Sequence, residues 1–222
     1  MKSKVISVIS EKRAPNEKEI DAITKEVLGH RPSRLVMSID GFPGTGKSTI
    51  AHEIQRRIQK LGLPVALVSA DLDVLPWADR PKNSGTMDWT QPDLLREVLE
   101  NPGAAFDYLA YDVVSHGRTL KTRIKTPKEG VLILEGLRAI ERVGEFGGNA
   151  ENVSIHFQVS QEIAEQLRIQ RNIQHGRWKA EEADARTRNQ RPSLQPYYRD
   201  LAKTLESTSL NVARDVRRLV IG

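Results

Sequence analysis

The stretch GFPGTGKST, residues Gly41 to Thr49, decides how the rest of the chain is interpreted. Four residues separate Gly41 from Gly46, and Lys47 and Ser48 follow directly. This spacing fits G-x-x-x-x-G-K-[ST], a loop whose backbone N–H groups turn inward toward phosphate oxygens. Glycine suits such a loop because it reaches the required dihedral angles without a Cβ clash. The sequence therefore predicts a phosphate-binding P-loop, with a Gly-rich surface turn as the alternative.

The residues of this loop have distinct chemical roles in binding a nucleoside triphosphate. Lys47 is expected to reach the β- and γ-phosphates, and the Ser48 hydroxyl to bind Mg²⁺. ATP and Mg²⁺ are therefore the expected cofactors. The residues expected to contact the nucleotide are Gly41, Gly44, Thr45, Gly46, Lys47, Ser48 and Thr49.

The segments on either side of the loop agree with this interpretation. Residues 35–39 form a short apolar run before it, as a buried parallel strand does. After the loop, apolar residues recur at helical spacing, and Gly62 supplies a stop. These residues are Ile50, Ile54, Ile58 and Leu61. A strand, a glycine-rich loop and a helix in this order are the context that a P-loop requires.

Composition narrows the classes of function. The 222 residues suit one domain, and no apolar run is long enough to span a membrane. The chain has no cysteine, which suits a cytoplasmic location, and the N-terminus does not read as a signal peptide. The net charge of +5 favours anionic partners, such as nucleotides. Nucleic acid is disfavoured because no basic run has interleaved aromatic residues. A homodimer is left open.

The pattern of apolar segments predicts the fold. Strands are predicted at 35–39, 64–70, 131–134, 153–159 and 217–221, and helices at 16–28, 50–61, 93–100, 161–174 and within 180–206. This alternation predicts an α/β, P-loop NTPase-type three-layer fold, with a central parallel sheet of about five strands and helices on both faces. We interpret residues 1–222 as one kinase domain. Its parts are an N-terminal helical extension (1–33), an acceptor-binding insert (72–125) and a helical lid region (168–191).

Acidic residues follow three of the predicted strands. Asp40, Asp71 and Glu135 stand at strand ends, where ligands bind in parallel sheets. A phosphoryl transferase needs one carboxylate near the metal and another to accept the proton of the attacking hydroxyl. We expect Asp71 to be the base and Glu135 to lie at the metal. Asp73 is a rival to Asp71, and capping of a following helix is the alternative for each acid.

The insert and the lid supply further candidate residues. In the insert, Asp88 and His116 are candidates for holding vicinal hydroxyls of an acceptor, with Tyr111 stacking or hydrogen bonding. In the lid region, Arg168, Arg171 and Arg177 are expected to neutralise the transferring phosphate. Arg168 and Arg177 are assigned to catalysis, Arg168 also to the acceptor, and Arg171 to the nucleotide. A solvated charged face is the alternative, and it is preferred for Arg186, Arg188 and Arg191.

Five motifs in this order resemble the uridine kinase and phosphoribulokinase-like branch of P-loop kinases. They are GFPGTGKST, VSADLDVLP, YDVVSHGR, VLILEGLRAI and LRIQRNIQHGR. The resemblance covers about residues 34 to 200, and its most specific part runs from YDVVSHGR to VLILEGLRAI. It implies a catalytic base at Asp71 and a carboxylate near the metal at Glu135. It also implies that Asp88 binds ribose hydroxyls, and that Tyr111 and His116 line the nucleoside pocket. The lid arginines of the family match Arg168, Arg171 and Arg177.

The departures from this family pattern fall on the acceptor side. Residues 72–75 lack the aromatic residues that follow the base in the family, and Val113 stands where phenylalanine packs on the nucleobase. Asn172 replaces the aspartate of the lid pair. We therefore expect a small-molecule kinase acting on a nucleoside or a ribose- or sugar-like alcohol. The alternatives are another acceptor, such as pantothenate, glycerate or a sugar phosphate, and a nucleotide-binding switch with little turnover.

Overall fold

A parallel β-sheet forms the centre of the molecule. The computed structural model describes residues 3–10, 17–29, 33–73, 75, 79, 93–112, 117–148, 150–158, 161–174, 176, 178–185, 187–189, 195–196, 199–200 and 217–221. The sheet has six strands, which are β1 (Ser3–Ser10), β2 (Arg34–Gly41), β3 (Val65–Ser69), β6 (Gly130–Glu135), β7 (Glu151–Gln158) and β8 (Arg217–Ile221). Their order across the sheet is β3-β6-β2-β7-β1-β8, and every pairing is parallel.

Helices cover both faces of this sheet, which confirms the predicted three-layer α/β fold. They are α1 (Glu17–Leu28), α2 (Lys47–Lys60), α3 (Asp93–Glu100), α4 (Ala139–Phe146) and α5 (Gln161–Gln174). Alternate residues of β2 point to opposite faces, so that Met37 packs with α1 and α2 and Val36 packs with α3 and α4. Both side chains are fully buried. None of the described helices is long and apolar enough to cross a membrane.

The N-terminal segment differs from the sequence prediction. Residues 1–33 were expected to be a helical extension, and α1 does occupy part of them. However, residues 3–10 form strand β1, which lies between β7 and β8 in the sheet. The apolar patch at 5–9 was too short to be distinguished from a surface segment by its pattern. The sheet therefore gains one strand beyond the five that the sequence predicts.

The insert contains an antiparallel pair of strands that the sequence analysis did not identify. These are β4 (Ala105–Asp112) and β5 (Gly117–Lys125). Ile124 and the rings of Phe106 and Tyr108 pack on the α3–α4 side of the sheet. The last turn of α3 is held to β2, since Arg34 Nη2 donates a hydrogen bond to the Leu99 carbonyl at 2.6 Å. The Thr126 N–H, directly after β5, donates to the Ala104 carbonyl, directly before β4, at 3.0 Å. The pair is thus a fixed part of the domain.

Substitution of Gly130 by alanine should destabilise the fold. Gly130 has φ +110, and an added Cβ would lie 2.2 Å from the Pro64 carbonyl oxygen, where β6 begins beside β3. Gly62→Ala is the matched control, because Gly62 has φ +74 but no atom within 4 Å of an added Cβ. We expect a lower Tm for Gly130→Ala, with each kcal/mol lost lowering Tm by about 2–4 °C. Equal Tm values for the two variants would contradict the clash.

Candidate active site

The predicted P-loop connects β2 to α2 at the carboxyl edge of the sheet. Gly44 and Gly46 have φ values of +95 and +84, which favour glycine. Gly46 is the N-cap of α2 in the left-handed conformation, and no side chain caps this helix start. The first-turn N–H groups of α2 are thus directed at the loop, where an anion is favoured by the hydrogen-bond donors and the helix dipole. Ser48 and Thr49 lie exposed on this turn.

Lys47 is held inside the loop and out of water. Its side chain is only 9% exposed, and Nζ donates hydrogen bonds to the carbonyls of Gly41 and Phe42, both at 2.8 Å. The hydroxyl of Thr45 donates to the same Phe42 carbonyl at 2.9 Å. Burial is the main cause that lowers the pKa of Lys47, and the positive charge of Arg171 adds to it. Three carboxylates oppose this pKa shift, those of Asp40, Glu135 and Asp71.

Glu135 ends β6 beside the start of α2. Ser48 Oγ donates a hydrogen bond to Glu135 Oε2 at 3.0 Å, and Ser69, the register partner of Glu135 on β3, contributes another. Burial raises the pKa of Glu135, and the negative charge of Asp71 raises it further. The carboxylate is therefore held in place by two hydroxyl groups while remaining close to Lys47.

Asp71 follows β3 in a short 3₁₀ turn, residues Ala70–Asp73. Its backbone N–H donates to Ser69 Oγ at 3.2 Å, and Asp71 is exposed. Its charge acts on both Glu135 and Lys47. Asp71 therefore presents a solvent-accessible carboxylate at the edge of the P-loop site. The backbone of Asp73 lies in the same turn, whereas its side chain is outside the described residues.

Helix α5 lies directly against the P-loop. An added Cβ at Gly44 would lie 2.9 Å from both the Ala164 carbonyl oxygen and Arg168 Cβ. Burial and the nearby charge of Arg171 lower the pKa of Arg168 to about 10, although Glu165 acts in the opposite direction. Two of the three lid arginines therefore lie on a helix that contacts the phosphate loop.

The remaining predicted site residues belong to the acceptor insert and the lid region. Asp88, His116 and Arg177 are outside the described residues, as are Arg186 and Arg191. Tyr111 lies on β4, but its side chain is outside the described part. Their predicted roles at the acceptor and in the lid stay predictions.

Two polar residues near the loop were missed by the sequence analysis. Ser69 links Asp71 to Glu135, as described above. His156 is buried on β7 as the register partner of Asp40. Burial and the charge of Lys47 lower the pKa of His156 to about 4, so it is neutral at pH 7. Both stand near the carboxyl ends of strands, and this position is the signal by which they could have been found.

The oxygen ligands near Ser48 suit a magnesium ion bound together with a nucleotide. The described residues contain no group of three or more His, Cys, Asp or Glu side chains that could hold a metal. Mg²⁺ in nucleotide sites commonly needs only one or two protein oxygens, because phosphates and waters complete its octahedron. Ser48 Oγ and Glu135 Oε2 lie 3.0 Å apart at the mouth of the loop. These two hard oxygen ligands therefore fit the ion.

Comparisons with known proteins agree with this architecture. No protein-family model matches the chain. A uridine kinase from Lactobacillus johnsonii (strain CNCM I-12250 / La1 / NCC 533) is 32% identical over 115 residues, which cover 46% of this chain and 52% of that protein. The chain thus spans about half the length of the curated relative that it matches.

Two solved structures are similar in fold. One, from Silicibacter sp. TM1040, is provisionally described as a fructose transport system kinase; it has a TM-score of 0.60 and 21% identity, over 78% of this chain and 92% of its own. The other, from Bacillus stearothermophilus, is provisionally described as a uridine kinase; it has a TM-score of 0.53 and 17% identity, over 65% and 82%. The uridine kinase confirms the resemblance to the uridine kinase and phosphoribulokinase-like branch of P-loop kinases, and the two solved structures confirm the fold.

The contact between the P-loop and α5 predicts the effect of Gly44→Ala. The added Cβ must displace the loop or the helix, because its nearest neighbours are mainly backbone atoms. Displacement would misalign the N–H groups that bind phosphate, and the loss of about one such hydrogen bond lowers affinity about tenfold. We therefore expect ATP affinity, measured by calorimetry, to fall about tenfold. Gly62→Ala is again the control, because Gly62 has φ +74, no atom within 4 Å of an added Cβ, and lies outside the loop and the lid. ATP affinity equal to that of the control would show that the loop tolerates the side chain.

Glu135→Gln should separate stability from metal binding. The raised pKa of Glu135 means that the folded state holds its proton more tightly than the unfolded state does. Stability from this group is therefore present at low pH and is lost as pH rises through the folded-state pKa. At pH 7 and in a metal chelator, glutamine removes this cost, so Tm should rise. Mg²⁺ should then no longer increase ADP affinity.

The exposed Glu129 precedes the same strand and provides the control substitution Glu129→Gln. It should change neither Tm nor the response of ADP affinity to Mg²⁺. A lower Tm for Glu135→Gln at pH 7 would show that the ionised carboxylate stabilises the fold instead.

Proposed function

We propose that this protein is an ATP- and Mg²⁺-dependent kinase that transfers the γ-phosphoryl group to a hydroxyl of a small molecule. The observation that carries the proposal is the convergence of Lys47, Glu135 and Asp71 at one P-loop. Their charges act on one another, although they come from three separate segments. A lysine on a Gly-rich surface turn, the alternative interpretation of this loop, would be neither buried nor close to three carboxylates.

Phosphoryl transfer of this kind depends on positioning and on stabilising charge. Lys47 would hold the β- and γ-phosphate oxygens together with the N–H groups at the start of α2. Mg²⁺, when bound, would be held by Ser48 and Glu135 and would neutralise phosphate charge. Arg168 and Arg171 would add positive charge from α5, and closure of the lid would exclude water.

Asp71 is proposed as the general base. The acceptor hydroxyl would form the new bond to the γ-phosphorus as the bond to the bridging oxygen of ADP breaks. The hydroxyl proton would pass to the Asp71 carboxylate, which is exposed toward solvent at the site edge. The hydrogen bond from the Asp71 backbone N–H to Ser69 fixes the turn that presents this carboxylate.

A nucleoside or a ribose- or sugar-like alcohol is proposed as the acceptor. The support is the similarity to a uridine kinase, which covers 46% of this chain. The departures at residues 72–75 and Val113 leave another acceptor open, such as pantothenate, glycerate or a sugar phosphate. A cytoplasmic location is proposed because the chain lacks cysteine.

The competing function is a nucleotide-binding switch with little turnover. A switch does not require an acceptor-binding insert, yet this chain has an insert, in which β4 and β5 pack beside α3 and follow the turn that carries Asp71. A switch also has no use for an exposed carboxylate at that turn. The kinase is therefore the better account of the described residues.

Substitution of Asp71 distinguishes the two functions. Acceptors are first identified by ADP release over nucleosides, including uridine, sugars and pantothenate, with Lys47→Ala as the inactive reference. For the best acceptor, Asp71→Asn should lower kcat by roughly 10²–10⁴, because asparagine keeps the shape but cannot take the proton in the same way. ATP affinity measured by calorimetry should stay within a few-fold of that of the wild type.

Asp93→Asn, at the exposed start of α3, is the control and should leave both quantities unchanged. Loss of both ATP binding and turnover in Asp71→Asn would assign Asp71 to structure or to the metal. Retention of both would remove it as the base. A wild-type chain that binds ATP and phosphorylates none of the compounds would favour the switch.

A further inference from the structure

Asp40 is a fully buried acid at the point where β2 enters the P-loop. Its Oδ1 accepts a hydrogen bond from the Gly41 N–H at 2.7 Å, at the first residue of the loop. Its Oδ2 accepts a longer one, at 3.4 Å, from the N–H of Ile140 in the first turn of α4. One carboxylate thus joins two segments that are 100 residues apart in the chain.

The sequence alternative for Asp40 was capping of the helix that follows it. In the structure it contacts α4, whereas α2, the helix that follows the P-loop, has no side-chain cap. A buried carboxylate is costly unless hydrogen bonds and nearby charge compensate it. Here the two N–H groups, the start of α4 and the ammonium of Lys47 provide that compensation. His156, its register partner, is neutral at pH 7 and supplies no positive charge.

The segment that Asp40 contacts begins at Glu135. After this residue the chain makes a tight turn, in which the Gly136 N–H donates to the Ile39 carbonyl at 3.0 Å. Arg138 then adopts φ +64, a conformation that side chains other than glycine rarely take. An ion pair between Arg138 and Glu141 closes the first turn of α4. The strained turn is thus held to β2 at Ile39 by backbone and at Asp40 by a side chain.

We propose that Asp40 is a positioning residue that fixes the distance between the P-loop and the turn after Glu135. We call the two hydrogen bonds that Asp40 accepts, from Gly41 and Ile140, the joint. The N–H groups proposed to bind phosphate follow Gly41, and the carboxylate of Glu135 precedes Ile140. This inference rests on the proposed function, because only a site that binds phosphate and metal together needs both parts at a fixed separation. It assigns to Asp40 no contact with the substrate.

Asp40→Asn tests the joint, with Ser38→Ala as the matched control. Ser38 lies two residues earlier on the same face of β2, is fully buried, and donates a hydrogen bond to Ser154 Oγ at 2.9 Å. Both substitutions therefore disturb a buried hydrogen bond of one strand. Only Asp40→Asn places an amide, with fewer acceptor oxygens, against the N–H groups of Gly41 and Ile140. It also removes a negative charge that acts on Lys47, so amide exchange is the measurement that isolates the link between the two segments.

The first measurement is amide hydrogen exchange without any ligand. We expect faster exchange at both Gly41 and Ile140 in Asp40→Asn, and no change at either in Ser38→Ala. The second measurement is ATP affinity by calorimetry, which should fall about tenfold in Asp40→Asn, close to the worth of one hydrogen bond. In turnover, the KM for ATP should rise and the KM for the acceptor should not, whereas partial unfolding lowers kcat alone.

Unchanged exchange at either amide in Asp40→Asn, or equal losses of ATP affinity in the two variants, would overturn the inference. If Asp40→Asn does not fold, amide exchange and ATP affinity are measured on Asp40→Ser, which has a smaller polar side chain. The result is distinguishable from a failure of the proposed function. A wild-type chain that binds ATP without phosphorylating any acceptor removes the kinase, while amide exchange and ATP affinity still decide the role of Asp40.

Discussion

The site depends on one ammonium group kept out of water. Lys47 is buried within a loop that already uses two backbone carbonyls, those of Gly41 and Phe42, to hold it. Burial of a cation is unfavourable unless negative charge compensates it. The compensation comes from three strand ends, which is possible only because the strands are parallel and their carboxyl ends meet at one edge. The parallel arrangement of the strands is therefore what allows the charge of Lys47 to be buried.

At the same edge, two neutral hydroxyl groups bind the Glu135 carboxylate. Glu135 is held by Ser48 and Ser69, so its position does not depend on a charged partner that a metal would have to displace. Helix α5 packs on the loop through Gly44, where a side chain larger than hydrogen cannot fit without displacement. Gly44 is thus required by the packing of α5 as well as by the conformation of the loop.

Features that depend on local sequence were predictable. The spacing from Gly41 to Ser48 defined the loop, and acids directly after apolar runs identified Asp71 and Glu135. Features that depend on which strands lie side by side could not be predicted from the sequence. Ser69 reaches Glu135 because β3 lies beside β6, and Asp40 reaches Ile140 because β6, which leads into α4, lies beside β2. The pair β4–β5 was not predicted, because β5 has charged or polar residues at most positions and lacks the apolar pattern of a strand. Much of β5 faces solvent.

Strand β1 has a consequence for how the molecule assembles. Ser3 pairs in register with Asn152, and Ser10 with Ile221. Loop-closure entropy must be spent before contacts of such separation form, and long-range parallel pairing is intrinsically slow. The half of the sheet next to the P-loop contains β2, β3 and β6, which are close in the chain, whereas among the described strands β8 pairs with β1 alone. During synthesis, β1 emerges before β7 and β8 and cannot pair with them until they follow, so this edge of the sheet is expected to form late.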